Sequence, residues 1–328
     1  MYVLRHVFYV FFILFGGTLF AIFLNGISDF LKELTNISRN WALGFTIIIL
    51  LATLGLTGWL AGSSIASQIS ELIKRFPQAM TIIRDYLANY GWGRSLLGSF
   101  PELQELLPAG KGLIGNVTGF FTTIVGAFTG IILVFFVGIY LSIEPDLYIE
   151  GFLHLFPSEK KSRAKEVLDA IERALRWWLL GRAASMIAVG LLTMTGLLII
   201  GLPLAPSLGL ISGLLTFIPF IGPWLAIAPA LMVGLVEGPM MILSVIIVYI
   251  VVQQLENHLI TPIMQKEAVF IPPVVLLAAQ TLIGILFGLI GILLATPLAI
   301  VMMILVQMLY VEDVLDEQIK VLGTHPME

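Results

Sequence analysis

The residues Gln253-Gln254-Leu255-Glu256-Asn257-His258 close an otherwise uncharged run with side chains that donate or accept hydrogen bonds and, at Glu256, a proton or a cation. Helical spacing puts Gln253, Glu256, Asn257 and Ile260 on one face, with Gln254, His258 and Thr261 beside it. A charge at the centre of a membrane helix costs roughly 2.5 to 3.5 kcal/mol, so a carboxylate there is a functional candidate by default. Glu256 also precedes Pro262 by six residues, about 9 Å along a helix. Two readings therefore stand: an anchor at the interface, or a carboxylate that couples transport to an ion. The candidate path comprises Gln253, Gln254, Glu256, Asn257, Thr261 and Pro262, together with Gln280, an amide inside the last apolar run.

A second constellation is Phe217-Ile218-Pro219-Phe220-Ile221-Gly222-Pro223, two prolines and a glycine in the middle of an apolar run. Proline lacks an amide hydrogen and clashes with the preceding turn, so carbonyls near Pro219, Gly222 and Pro223 are expected to lose helical partners. In hydrocarbon such groups survive only when buried in protein or facing a watery cavity, and broken helices at that depth are how transporters build substrate sites. The alternative is a proline kink or tight hairpin that holds nothing. Downstream, Gly284-x-x-x-Gly288 suggests close helix packing, and Thr296-Pro297 suggests a second break, so segments 204–236 and 272–310 read as corresponding interrupted elements.

Other chemistry is excluded by composition. The chain has no cysteine, hence no disulfide, thiolate metal site or Cys nucleophile, and its four histidines are scattered. No His-Glu-x-x-His, Gly-x-Ser-x-Gly or phosphate-gripping Gly-x-x-x-x-Gly-Lys occurs. We therefore expect no enzyme activity, no cofactor and no metal centre. The net charge of −4 gives no reason to expect a nucleic-acid partner.

The elements that must position these residues follow from the apolar excess. Of 328 residues 59% are hydrophobic and 12% charged, against about 25% charged in soluble domains. The polar side chains are too few to coat a water-facing globule. Six uncharged runs appear: Val7 to Ser28, Asn40 to Ser70, Gly112 to Ile143, Ala183 to Val236, Gly238 to Leu255 and Ala268 to Val311. One pass needs about 20 residues, so the fourth and sixth must hold two passes or a pass plus a re-entrant hairpin. The expected fold is all-α, a polytopic transmembrane protein with broken or re-entrant helices, in a lipid bilayer.

The expected organisation is transmembrane helices in 1–62, an extracytoplasmic amphipathic segment in 63–116, a span in 117–143, an interfacial helix in 144–182, a transmembrane core in 183–311 and a cytoplasmic tail in 312–328. Residues 71–111 carry Pro77, Pro101 and Pro108 among charges, which suggests short helices broken by turns. The 144–182 stretch holds seven Lys or Arg and so belongs inside. There Ser158 is expected to cap a helix whose apolar stripe is Ala164, Val167, Leu168, Ile171, Leu175, Trp178 and Leu179. Alternation then puts 29–39 inside and the first residues outside, which suggests that a further helix precedes them.

Gly201-Leu202-Pro203, the Phe217 to Pro223 segment, Gln253-Gln254-Leu255-Glu256-Asn257 with Thr261-Pro262, and Leu286-Phe287-Gly288-Leu289-Ile290-Gly291 through Ala295-Thr296-Pro297-Leu298-Ala299 together resemble the AI-2E family of transporters. The match is specific over about 150–310 and diffuse before it. The resemblance implies export of the signal autoinducer-2, or Na⁺(Li⁺)/H⁺ antiport in some relatives, by a homo-oligomer, a pentamer, of the inner membrane. It also implies an additional helix before the Val3 to Leu24 region. Gln253, Glu256 and Asn257 match the family's polar motif, and Pro219, Gly222 and Pro223 its Pro-Gly loop. His258 stands where a further Asn is common, and Gln265 near where a basic residue often follows the proline.

Overall fold

The computed structural model describes residues 2–90, 128–260 and 271–317. Among them there is no strand. The helices are α1 (Tyr2–Thr35), α2 (Arg39–Ala88), α3 (Phe128–Ile143), α4 (Pro145–Leu153), α5 (Lys161–Ile199), α6 (Ala205–Leu215), α7 (Ile221–Glu237), α8 (Pro239–Leu255) and α9 (Pro273–Leu305). Single π turns extend α8 through Glu256–Ile260 and α9 through Val306–Glu312. Among the described residues, four stretches are long and apolar enough to cross a membrane: Val7–Thr35, Ser158–Ile199, Pro239–Ile260 and Pro273–Glu312. A fifth is a pair bent by 86°, Ile132–Ile143 with Pro145–Leu153. Side chains such as Leu191, Leu198 and Ile187 point outward from these helices. Water would penalise that arrangement, and lipid accepts it.

The chain forms two compact units. One comprises Met1–Leu54, Thr129–Ala184 and Thr261–Glu328. In it α1 and α3 pack through glycines: a Cβ on Gly17 would collide with the Val137 side chain, and one on Gly138 would lie 3.0 Å from the Gly17 carbonyl oxygen. The Phe287 ring of α9 packs against Phe8 (tilted) and Phe12 (edge-on) of α1, with centroids at 4.8 and 4.9 Å. Arg176 reaches Asp29 at 2.8 Å. Arg163 gathers Glu166, Glu312 and Asp313, each at 2.8 Å, and the Met308 carbonyl oxygen at 2.9 Å. The predicted stripe on α5 is the packed one, with Val167, Leu175 and Trp178 buried, joined by Ala170 and Ala174.

The other unit comprises Gly55–Phe128 and Ser185–Ile260. Its core is Leu197, Leu202, Leu204, Leu208, Ala226, Ala230, Val233, Val245 and Tyr249, drawn from α5 to α8 and the turn before α6. Backbones meet where α5 crosses α6: a Cβ on Gly209 would lie 2.8 Å from the Gly190 oxygen, and one on Gly213 2.7 Å from the Met186 oxygen. Gly209-x-x-x-Gly213 is thus the close-approach motif of this core.

Several expectations are corrected. Helix α2 runs unbroken through Pro77 to Ala88, so the expected turn at that proline is absent; Pro101 and Pro108 lie outside the described residues. Ser158 is the first residue of a short 3₁₀ turn, Ser158–Lys160, whose N-cap position is Pro157, so Ser158 is not the cap. The 182/183 boundary is not a break, because α5 continues from Lys161 to Ile199. The second interruption falls at Gly288 (φ 65°, ψ −144°), and Pro297 sits inside a helical arm. That backbone conformation is open essentially to glycine alone, whereas a helix buried among neighbours tolerates proline. Gly284 serves the resulting fold-back: a Cβ there would lie 2.7 Å from Ile292, and one on Gly291 would collide with the Ile283 carbonyl oxygen. Gly284 and Gly288 are therefore parts of one helical hairpin.

Candidate functional site

The break in the 204–236 segment is a tight hairpin between α6 and α7. Four of its amides make short-range bonds: Phe217 N to Leu214 O, Ile218 N to Leu215 O, Ile221 N to Pro219 O and Gly222 N to Ile218 O, at 2.7 to 3.2 Å. The helix is thus interrupted over residues 216–220 by a hydrogen-bonded turn whose acceptors are the carbonyl oxygens of Leu214, Leu215, Ile218 and Pro219. Pro223 lies in the first turn of α7, where an amide hydrogen would have no helical acceptor, so its lack costs nothing. Gly222 lets the arms touch, since a Cβ would collide with the Leu215 carbonyl oxygen. Phe220 takes φ 63° to close the turn.

The polar surface comes instead from side chains. A small, partly open cleft is lined by Val189, Thr193, Ser212, Thr216, Pro223, Ala226, Tyr249, Val252 and Gln253. Its clear room holds about one water molecule. Thr193 comes from α5, Ser212 and Thr216 from one face of α6 at a spacing of four, and Tyr249 and Gln253 from one face of α8 at the same spacing. Thr216 Oγ1 donates to the Ser212 carbonyl oxygen at 2.8 Å. Tyr249 Oη donates to the Ala226 carbonyl oxygen at 3.1 Å and shares a 2.8 Å hydrogen bond with Ser212 Oγ. One phenol thus pins α8 to both arms of the hairpin.

Gln253 joins this cleft to the acidic cluster. Its Nε2 donates to Glu256 Oε2 at 2.8 Å and to Asn257 Oδ1 at 3.3 Å. Glu256 is buried, 4% exposed, at the start of the π turn. A π turn widens the backbone by one residue and often marks a functional position in a helix. Sequence spacing placed Gln253, Glu256 and Asn257 together, as observed, and Pro223 of the hairpin lines the same cleft as Gln253. Glu256 itself is not a lining residue, and Gln254 is exposed. The carbonyl oxygen of Gln254 lies 3.1 Å from His258 Nδ1. Thr261 and Pro262 lie outside the described residues. Gln280 is buried on α9 in the other unit.

Sequence reasoning missed Thr193, Ser212, Thr216 and Tyr249. The signal was present in the paired spacings Ser212/Thr216 and Tyr249/Gln253, hydroxyls and an amide recurring on one face of apolar helices.

Comparison with known proteins agrees with this architecture. The family model described as AI-2E family transporter matches residues 1–310. The relative named "Putative transport protein YueF", from Bacillus subtilis (strain 168), is 26% identical over 76% of this chain and 72% of its own length. YrrI of the same organism, named in the same way, is 26% identical over 52% of this chain and 48% of its own. A similarly named Mycobacterium tuberculosis protein, MT0215, is 34% identical over 43% of this chain and 39% of its own. With a match over nearly its whole length and several apolar helices of spanning length, the chain belongs to the AI-2E family and is a multi-pass membrane transport protein.

Proposed function

We propose that this protein is a secondary exporter of a small signalling molecule of the autoinducer-2 type, driven by a proton or ion gradient across the inner (cytoplasmic) membrane. The observation that carries the reading is the cleft at which Pro223 of the hairpin and Gln253 of the polar cluster face one space, with Glu256 bonded to that same amide. An ionised carboxylate only accepts hydrogen bonds, whereas a protonated one also donates. Binding of a proton or ion at Glu256 therefore changes what Gln253 presents to the cleft, which gives an ion gradient a route to the cargo. Thr261, Pro262 and Gln280 are assigned to the remainder of the path on the sequence pattern alone. The family resemblance supports a homo-oligomer, a pentamer, as the working form.

Sidedness follows the distribution of basic residues, with 144–182 and the tail inside. The pairing of Arg163 with Glu312 and Asp313, and of Arg176 with Asp29, supports one common side for 29–39, the start of α5 and the end of α9.

A second reading, Na⁺(Li⁺)/H⁺ antiport, is favoured by the small size of the cleft, which suits an ion better than a ring-sized cargo. A passive oligomeric channel is the third. Purified protein in proteoliposomes separates them, with fluxes of autoinducer-2 and of Na⁺ measured with and without a pH gradient. The exporter reading expects autoinducer-2 flux that rises with the gradient and loses that dependence in Glu256→Gln. Sodium flux alone supports antiport, and flux that ignores every gradient supports the channel. Gradient-driven flux unchanged in Glu256→Gln removes the coupling role.

A further inference from the structure

The hydrogens of the cleft can be assigned one by one, and their assignment restricts what it binds. A hydroxyl has one hydrogen and two lone pairs, and a carbonyl oxygen cannot donate. Thr216 gives its hydrogen to the Ser212 carbonyl, and Tyr249 gives its own to the Ala226 carbonyl. The contact between Ser212 Oγ and Tyr249 Oη must then carry the serine hydrogen. The amide hydrogens of Gln253 go to Glu256 and Asn257, which leaves its carbonyl oxygen for the cleft. Three hydroxyls and one amide thus offer lone pairs and no hydrogens. Thr193 is fully buried, and its Oγ1 has no partner among the described residues. A buried polar atom of this kind calls for an explanation, and its hydroxyl is free to turn a lone pair towards a donor.

We propose that this cleft is a binding site for an ammonium group, either the free ion or the head of a small primary amine, and that Thr193 is the residue that recognises it. Walls with four groups that only accept, against the single hydroxyl hydrogen of Thr193, disfavour anions and carbonyl groups, because lone pair would mostly face lone pair. The clear room of about one water excludes a ring in this conformation but matches an ammonium head. Ammonium has up to four donors and no lone pair. Water has only two donors and could take a hydrogen from Thr193 alone, so it satisfies fewer of these lone pairs. Hydrogen bonds to a charged donor are stronger than neutral ones, which offsets the dehydration of the ion. The proposal rests on reading this cleft as a ligand site, and not on which cargo is exported.

The test is equilibrium binding of labelled methylammonium to the detergent-purified chain near neutral pH, with ammonium, sodium, potassium, formate and urea as competitors. Saturable binding displaced by ammonium, and not by formate or urea, is expected. Thr193→Val should bind about tenfold more weakly, the loss of one hydrogen bond, while Thr193→Ser, which keeps the hydroxyl, restores binding. Thr193→Val removes an unpartnered hydroxyl at nearly constant volume, so its unfolding temperature should equal or exceed that of the unaltered chain. That control separates lost recognition from lost folding. Binding that is absent, unaffected by Thr193→Val, or displaced equally well by sodium overturns the proposal. Autoinducer-2 flux in proteoliposomes is a separate readout. If flux persists without ammonium binding only this inference fails, and if binding persists without flux only the exporter reading does.

Discussion

Gly222 and Phe220 stand two residues apart in one turn and make opposite demands. Gly222 has no room for a Cβ, because the atom in the way is the Leu215 backbone oxygen, which cannot step aside without opening the hairpin. Phe220 carries a bulky side chain at φ 63°, a conformation that costs a non-glycine residue about 1 to 3 kcal/mol. Gly222→Ala should therefore destabilise by about 2 kcal/mol or more, as overpacking does. Phe220→Gly should leave stability unchanged or raised, since relief of strain offsets the roughly 1 kcal/mol entropic cost of glycine. Thermal unfolding of the two variants in detergent checks this, and equal losses in both would refute the account of the turn. At this scale the sequence was legible wherever a residue departs from hydrocarbon. Glu256 and Gln253 stand out in an uncharged run, and Pro219 with Pro223 mark the hairpin. Thr193 does not stand out, because buried hydroxyls in these helices commonly bond their own backbone, as Thr46 does to the Ala42 oxygen and Thr216 to that of Ser212. Only the structure reveals that Thr193 has no such bond.

Among the elements, α6 shows how one helix can complete another. The residue before it, Leu204, sits at φ 64° and has no side-chain oxygen with which to cap. The cap comes from α2, where Gln68 Oε1 accepts from Ser207 N at 3.3 Å and from Ser207 Oγ at 3.0 Å. Leu72, one turn on, packs against the core, and after a further turn Arg75 bonds Glu237 at the end of α7 at 2.7 Å. Residues 68, 72 and 75 share a helix face, so α2 fastens the first residues of α6 and the last of α7, the base of the hairpin. The Arg75 guanidinium is held above its ordinary pKa, chiefly by its hydrogen bond to Glu237. With both partners partly exposed, that pair is worth at most about 1 kcal/mol. Gln68→Ala should cost about 1 kcal/mol, the usual loss of a cap, and Gln68→Glu, which keeps an acceptor beside the positive end of α6, should recover most of it. A Gln68→Ala variant with an unshifted unfolding midpoint would show that Ser207 is satisfied otherwise. Helix existence was readable from apolar runs, but helix ends were not. Pro77, Pro229 and Pro297 all lie inside helices, whereas the fold-back of α9 occurs at a glycine. Proline removes one bond that neighbours can replace, while the backbone at Gly288 requires the absence of a Cβ.

For the whole molecule, the sequence leaves orientation to the count of basic residues, and the structure adds a geometric constraint within one unit. Arg163 near the start of α5 meets Glu312 and Asp313 beyond the end of α9, so those two ends lie together, and if both helices span, as proposed, they share one membrane face. Arg163 is about a quarter exposed in these pairs, and its several partners form a network less dependent on any single geometry than an isolated surface pair. Because the chain has no cysteine, single cysteines report position without background. Glu159→Cys and Asp316→Cys, both at exposed positions, should react with a membrane-impermeant maleimide from the same side of sealed vesicles. In the proposed orientation, which follows the positive-inside rule, that side is the cytoplasmic one. Labelling of the two from opposite sides would contradict the Arg163 network itself, whereas labelling of both from the outside would leave the network intact and reverse the orientation. Raised salt screens partly exposed ion pairs, so the reactivity of Asp316→Cys should increase with ionic strength more than that of a cysteine at Asn89, an exposed position outside the Arg163 network. An equal response at both positions would mean that Arg163 does not tether the end of α9 in solution.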